Sequence, residues 1–221
     1  MIRRLSFMVA AVALVGSSAW AQEKRVEISG NIGYTLSDGV SGSSTTVNGE
    51  DFTRIDPKDS VNYGGRIGFF VTPNIEVGGL FSLQSTTLQL GGVVTADVGD
   101  EKIYNYHGYV AYNFGEGDAK VRPYVLGGLG ATQFGGVTIH IGDRSDSVGG
   151  TTKFSTTWAL GLKMYPSPNV GIRLEARWTP TYIKSDAAGW WCDPYWGYCY
   201  VVGNAQYANQ FDFGGGITLR F

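Results

Sequence analysis

Val170–Trp178 reads VGIRLEARW. Val170, Ile172, Leu174, Ala176 and Trp178 share one parity; Gly171, Arg173, Glu175 and Arg177 share the other. Successive side chains of a strand point to opposite faces. As a strand, this stretch therefore has one face of hydrocarbon and an opposite face carrying three ions.

The alternation recurs in Arg25–Leu36, Val61–Val71, Ile75–Gln84, Lys102–Phe114, Lys120–Thr132, Thr156–Tyr165, Val170–Tyr182 and Phe211–Phe221. These are eight strands, the even number that closes an antiparallel barrel. The apolar parity is Val, Ile, Leu, aromatic or Gly almost throughout. A barrel crossing a membrane needs that surface against lipid and its polar residues in the lumen. A soluble ligand-binding barrel would turn the apolar parity inward, and alternation alone does not separate the two.

The connections do separate them. Thr72–Asn74, Gly115–Ala119 and Pro166–Asn169 are tight and rich in turn-forming residues. Ser37–Ser60, Ser85–Glu101, Gln133–Ser155 and Ile183–Gln210 are long. Strict alternation of short and long places every long loop at one end, as in barrels with short periplasmic turns and long extracellular loops. Tyr34, Tyr63, Phe81, Tyr104, Trp158, Trp178 and Phe211 fall near the loop end, and Phe69, Tyr112, Phe114 and Phe221 near the turn end. Two aromatic girdles mark two membrane–water interfaces. The expected fold is an all-β, eight-stranded, antiparallel up-and-down transmembrane β-barrel.

The start of the chain agrees with export. Arg3 and Arg4 precede a short apolar run, Phe7–Gly16, and Ala19-Trp20-Ala21 is a small-x-small cleavage site. Residues 1–21 thus read as a secretory signal peptide and 22–221 as one barrel domain. Beyond the signal no run is long enough for a transmembrane helix. Formal net charge is −2 and no basic stripe is present, which argues against nucleic acid as a partner. Glycine, 33 of 221 residues, is about twice as frequent as usual, and much of it lies inside the strands.

Cys192 and Cys199 stand close together in WWCDPYWGYCY. In an oxidising compartment they read as a local disulfide. Two thiolates without a nearby histidine are too few ligands for structural zinc, and no cofactor or metal site is expected.

The chain ends FDFGGGITLRF, with Phe211, Phe213, Ile217, Leu219 and Phe221 alternating. This resembles the terminal strand signal of proteins inserted by the outer-membrane assembly machinery, with Phe221 as the signal residue. Arg122-Pro123-Tyr124 followed by Gly127-Gly128-Leu129-Gly130 resembles the fifth strand of the small outer-membrane β-barrel domain family. That group includes the outer membrane protein A transmembrane domain, the outer membrane protein W type and opacity-type surface proteins. The resemblance spans Gln22–Phe221. It implies the fold and a bacterial outer-membrane location, but little about activity, since such barrels host several functions.

Three places are candidates for function. Glu27, Arg66, Glu76, Arg122, Lys163, Arg173, Glu175, Arg177, Asp212 and Arg220 share the inward parity, as do His107, Phe70, Leu80 and Leu126. Eight strands enclose only room for side chains, so these ions should pair and plug the barrel. Glu175, between Arg173 and Arg177 on one face, is expected to bridge them. The alternative is a gate whose pairs exchange and pass small ions.

An enzyme is the second candidate. Lipid A deacylases and palmitoyl transferases of this architecture use a histidine near a serine or carboxylate. The deacylase His-x-Ser-Asn pattern is absent, His140 being followed by Ile141, Gly142 and Asp143. His107 reads as a lumen hydrogen-bonding residue, and no catalytic residue is assigned.

The loops are the third. The first, Ser/Thr/Gly-rich, is expected to be mobile and solvated. In the third, Val137–Ile141 alternates and suits a hairpin extension of the barrel. The fourth crowds Trp190, Trp191, Tyr195, Trp196, Tyr198 and Tyr200 around the cysteines. These rings serve either as binding anchors on a rigid loop or as a lid over the barrel mouth and outer leaflet.

The leading expectation is therefore a structural and surface-interaction role, anchor or adhesin-like, with outer-membrane lipid, lipopolysaccharide, the assembly machinery and a host or surface ligand as partners. The alternative is a narrow porin or a channel for small hydrophobic molecules. A lipid A-modifying enzyme ranks third.

Overall fold

The computed structural model describes residues 25–38, 40–47, 50–92, 96–141, 144–148, 150–182 and 207–221, with side chains described for 25–38, 57–89, 99–136, 150–182 and 207–221. The strands are β1 (Val26–Asp38), β2 (Val40–Val47), β3 (Glu50–Pro57), β4 (Ser60–Phe70), β5 (Ile75–Gly92), β6 (Ala96–Asn113), β7 (Val121–Phe134), β8 (Val137–Ile141), β9 (Arg144–Val148), β10 (Thr151–Met164), β11 (Val170–Tyr182) and β12 (Tyr207–Arg220).

Eight of them close a barrel in the order β1-β4-β5-β6-β7-β10-β11-β12, each antiparallel to its neighbours. The seam between first and last runs from Glu27↔Arg220 to Asp38↔Asn209. The Phe221 amide donates to the Val26 carbonyl at 2.9 Å and extends that seam to the final residue. Among the described residues no helix is long and apolar enough to cross a membrane; the crossing belongs to strands of 11 to 18 residues, where a tilted transmembrane strand needs about 9–11.

Burial is the inverse of a soluble protein's. Leu160 is 65% exposed, Leu129 64% and Ile217 61%, while Glu27 and Glu76 are 1% exposed. Exposing apolar area to water costs roughly 25 cal/mol per Å², so this outer surface is stable only against hydrocarbon. The barrel is thereby the membrane kind and not the soluble kind. The aromatic residues of both girdles with described exposure, from Tyr34 and Trp158 to Phe114 and Phe221, lie on the outside.

The tight turns are where the sequence puts them. Thr72 Oγ1 accepts from the Ile75 amide at 3.0 Å, and Asn74 Nδ2 donates to the carbonyls of Asn113 and Gly115 at 2.6 and 2.7 Å, tying two turns together. Gly115 sits at φ +85°, a conformation open to glycine at little cost.

The long connections differ from their sequence reading. Ser85–Glu101 is a continuation of β5 and β6, paired as far as Leu90↔Ala96 with one register shift between Leu88 and Gln89. The first loop, read as mobile, forms β2 and β3, and β3 pairs with β5 from Pro57↔Leu88 to Phe52↔Gly92. β4 begins only at Ser60, so the extended β5 would leave its edge amides and carbonyls bare. An unpaired edge is a template for pairing, and β3 fills it. In the third loop Val137–Ile141 does form a hairpin, but β8 pairs only with β9, in a separate two-stranded sheet.

Candidate functional site

Tight packing of long polar side chains in a narrow barrel requires empty places on the wall. Inward glycines provide them. A Cβ on Gly68 would collide with the Glu76 carboxylate, and one on Gly78 or Gly161 would lie 2.6–2.7 Å from the phenol of Tyr109 or the ring of Tyr124. The rings and carboxylates thus lie over glycine, and charged side chains reach across the lumen instead of along it.

Near the turn end two carboxylates organise the first layer. Lys163 Nζ donates to Glu27 Oε2 at 2.8 Å and to Glu76 Oε2 at 2.5 Å. Glu27 also accepts from Arg173 Nη2 at 3.3 Å, Arg220 Nε at 3.2 Å and the Tyr165 hydroxyl. Glu76 also accepts from the Tyr109 hydroxyl at 2.6 Å and from Asn113 Nδ2 at 3.4 Å. The Lys163 ammonium lies 5.0 Å from the Phe70 ring centroid and 5.4 Å from that of Tyr124, within cation–π range. Arg122 is fully buried; its Nη2 donates to the Pro73 carbonyl at 2.6 Å, and among the described residues it has no carboxylate partner.

The middle layer is Arg66 and Glu175. Arg66 Nη2 donates to both carboxylate oxygens at 2.8 and 2.7 Å, and the Tyr124 hydroxyl donates to Oε2. Above it Arg177 donates to Asp212 Oδ2 from Nε at 2.9 Å and Nη2 at 2.7 Å, and reaches Ser82 Oγ at 3.1 Å. Asp212 Oδ1 accepts from Thr35 Oγ1 and from Asn62 Nδ2.

A neutral belt follows toward the loop end. Gln210 Nε2 donates to Gln84 Oε1 at 2.8 Å, and Asn105 Nδ2 donates to Gln210 Oε1 at 3.2 Å. His107 Nε2 lies 2.9 Å from Ser155 Oγ. These two residues stand on β6 and β10, either side of β7. They meet because Gly130 between them has no side chain. Thr132 Oγ1 donates to Ser155 Oγ at 2.9 Å; among the described residues His107 Nδ1 has no hydrogen-bond partner, so no acid orients the ring.

All ten charged residues singled out from parity lie inside the barrel, but one expected contact is replaced. Glu175 does not bridge Arg173 and Arg177; it pairs with Arg66, while Arg173 turns to Glu27 and Arg177 to Asp212. Residues i and i+2 of a strand are about 7 Å apart, whereas β4 approaches β11 across the lumen. Phe70, Leu80 and Leu126 are buried there as well. Tyr109, Tyr124 and Tyr165, the phenols that complete the layers, escaped the reading of charges. Their inward parity was the available signal. Cys192, Cys199, Trp190, Trp191, Tyr195, Trp196, Tyr198 and residues 1–21 lie outside the described residues.

The family model for the outer membrane protein beta-barrel domain matches residues 7–221. The chain belongs to this family. As an outer membrane protein beta-barrel it is a protein of the bacterial outer membrane. Its structure is similar to that of neisserial surface protein A, with TM-score 0.55 and 12% identity over 89% of this chain and 97% of that one. Similarity to the outer membrane protein OprG of Pseudomonas aeruginosa gives TM-score 0.54 and 11% identity, over 90% and 97% of the two chains. The outer membrane protein AlkL is likewise similar, with TM-score 0.55 and 14% identity over 92% and 94%. At these identities the likeness is one of fold. No curated protein sequence matches the chain.

Proposed function

We propose that this barrel is a plugged membrane anchor whose interaction surface is its loop end. The observation that carries the reading is the stack of ionic and amide layers across the lumen. A cavity beside the charged layers, bordered by Asn62, Arg66, Glu175 and Asp212 and by the glycine-rich wall at Gly214–Gly216, measures about 20 Å³, room for about one water molecule. A conducting path requires continuous space, and here consecutive layers are spanned by hydrogen-bonded side chains. Leu80 and Leu126 are packed against Tyr109, Tyr124, Ala111 and Ala159, which weighs against a channel for small hydrophobic molecules.

The rigid wall suits a display scaffold, because loops held on such a frame are where binding concentrates. The long β5–β6 hairpin with β3 on its edge carries the sheet beyond the girdle at the loop end. The fourth loop, with Trp190, Trp191, Tyr195, Trp196 and Tyr198 between the cysteines' flanks, supplies the residue types of binding anchors. The ligand is proposed as a host or surface molecule; the outer belt faces lipid and lipopolysaccharide. No enzymatic role is proposed: His107 and Ser155 are 4% and 1% exposed, and their pair has no acid behind it.

Planar-bilayer recording on refolded protein tests the plug. The anchor reading expects no reproducible unitary current. Discrete steps that vanish on covalent blocking of the lumen would establish the narrow-pore alternative instead. Attachment of cells displaying Trp196→Ala, against the unsubstituted barrel, tests the fourth loop; undiminished attachment removes it as the contact.

A further inference from the structure

The charges of the stacked layers do not balance: the surplus of cations lies at the turn end, while a further inward carboxylate, Glu101, is buried toward the loop end. Arg66 pairs with Glu175 and Arg177 with Asp212, one to one. Below them, among the described residues, Lys163, Arg173 and Arg220 share Glu27 and Glu76, and Arg122 pairs with neither. Among the described residues, Nε and Nη1 of Arg122 are buried without a hydrogen-bond acceptor, as are Nε and Nη1 of Arg173, whose Nη2 is bonded to Glu27. Buried guanidinium groups short of counter-charge are costly unless an anion lies close.

A cavity of about 580 Å³ opens at this end of the barrel. Four of its lining side chains are cationic, Arg25, Lys120, Arg122 and Arg220, against one carboxylate, Asp118. Arg122 is held in place by its bond to Pro73, and Arg220 by Glu27 and by stacking 4.3 Å over the Tyr165 ring. The cationic groups are thus pre-arranged, which lowers the cost of binding. The cavity's lining residues Phe70 and Arg220 directly adjoin the outward Phe69 and Phe221 of the turn-end girdle, a girdle that marks the headgroup level of the inner leaflet.

We propose that the periplasmic mouth of the barrel is a binding site for a phosphate group, gripped by Arg122 and Arg220 with Arg25 and Lys120 at the rim. Guanidinium groups match phosphate oxygens in geometry. A tetrahedral oxyanion also offers acceptors in several directions, as donors converging from β7, β12 and the turns require. The phosphate belongs either to the headgroup of an inner-leaflet phospholipid or to a free periplasmic ion.

The test uses the full barrel refolded in uncharged maltoside micelles without phosphate. One arm titrates inorganic phosphate, and the other adds phosphatidylglycerol to the micelles; both are read by calorimetry and by the thermal midpoint. Saturable binding in the first arm identifies a free phosphate site, and saturation in the second alone identifies a headgroup site. In either case R122Q is expected to weaken binding about tenfold or more, as loss of charge-assisted hydrogen bonds does. Should R122Q fail to fold, the rim double variant R25Q/K120Q decides, with a severalfold loss expected. Absence of saturation in both arms overturns the site. So does affinity unchanged in R122Q, or unchanged in R25Q/K120Q where R122Q does not fold.

Discussion

Arg66 on β4 and Glu175 on β11 meet in the middle of the barrel, 109 residues apart in sequence and joined by two hydrogen bonds of 2.8 and 2.7 Å. The pair ties opposite parts of the wall together, with Tyr124 as a third member. Such a pair adds little relative to a well-packed apolar replacement, but losing one partner leaves an isolated ion in a low dielectric.

Glu175→Ala is therefore expected to lower stability by about 3–5 kcal/mol. Urea unfolding in liposomes measures it. An unchanged midpoint would take Glu175 out of the network.

Lys163→Met leaves Glu76 with only Tyr109 and Asn113 as donors, both neutral. A loss of similar size, about 3–5 kcal/mol, is expected. Adding Glu76→Gln removes the orphaned charge, so the double variant should regain part of that loss. Additive losses in the cycle would show the two residues to be independent.

Gly130→Val places atoms against the Tyr106 carbonyl and within 2.8 Å of the His107 ring. Overpacking of this kind costs about 1–3 kcal/mol. Gly79→Ala is the control, because a Cβ there meets nothing within 4 Å on the lipid face. Equal unfolding midpoints for the two variants would contradict the packing argument.

Leu160→Arg introduces a charge on the exposed face of β10, between the girdles. It should cost about 2–4 kcal/mol, while Phe154→Arg, two repeats of the pleat beyond Trp158 toward the loops, should cost about 0–1 kcal/mol. Equal losses in liposomes would mean that the assumed depth of β10 is wrong.

The alternation in VGIRLEARW and its seven counterparts was enough to identify eight strands, the short turns and the inward set of ions. Lengths of the upper strands were less legible. Ser85–Glu101 and the Ser/Thr-rich first loop show weak alternation, and they become strands because an extended edge of β5 needs backbone partners. Tyr109, Tyr124 and Tyr165 carried the right parity but no charge. The contact between His107 and Ser155 depended on a glycine in a third strand.

The sequence by itself determined which side chains face lipid and which face the lumen, because parity along a strand is a local property set by the pleat. Only the tertiary structure decided who pairs with whom. Pairing across the lumen depends on strand register, tilt and the glycine gaps opposite each long side chain, and none of these is written within a single strand. The surplus of positive charge was countable from the sequence. Its concentration at the turn end, beside an open cavity, appeared only once the barrel had closed.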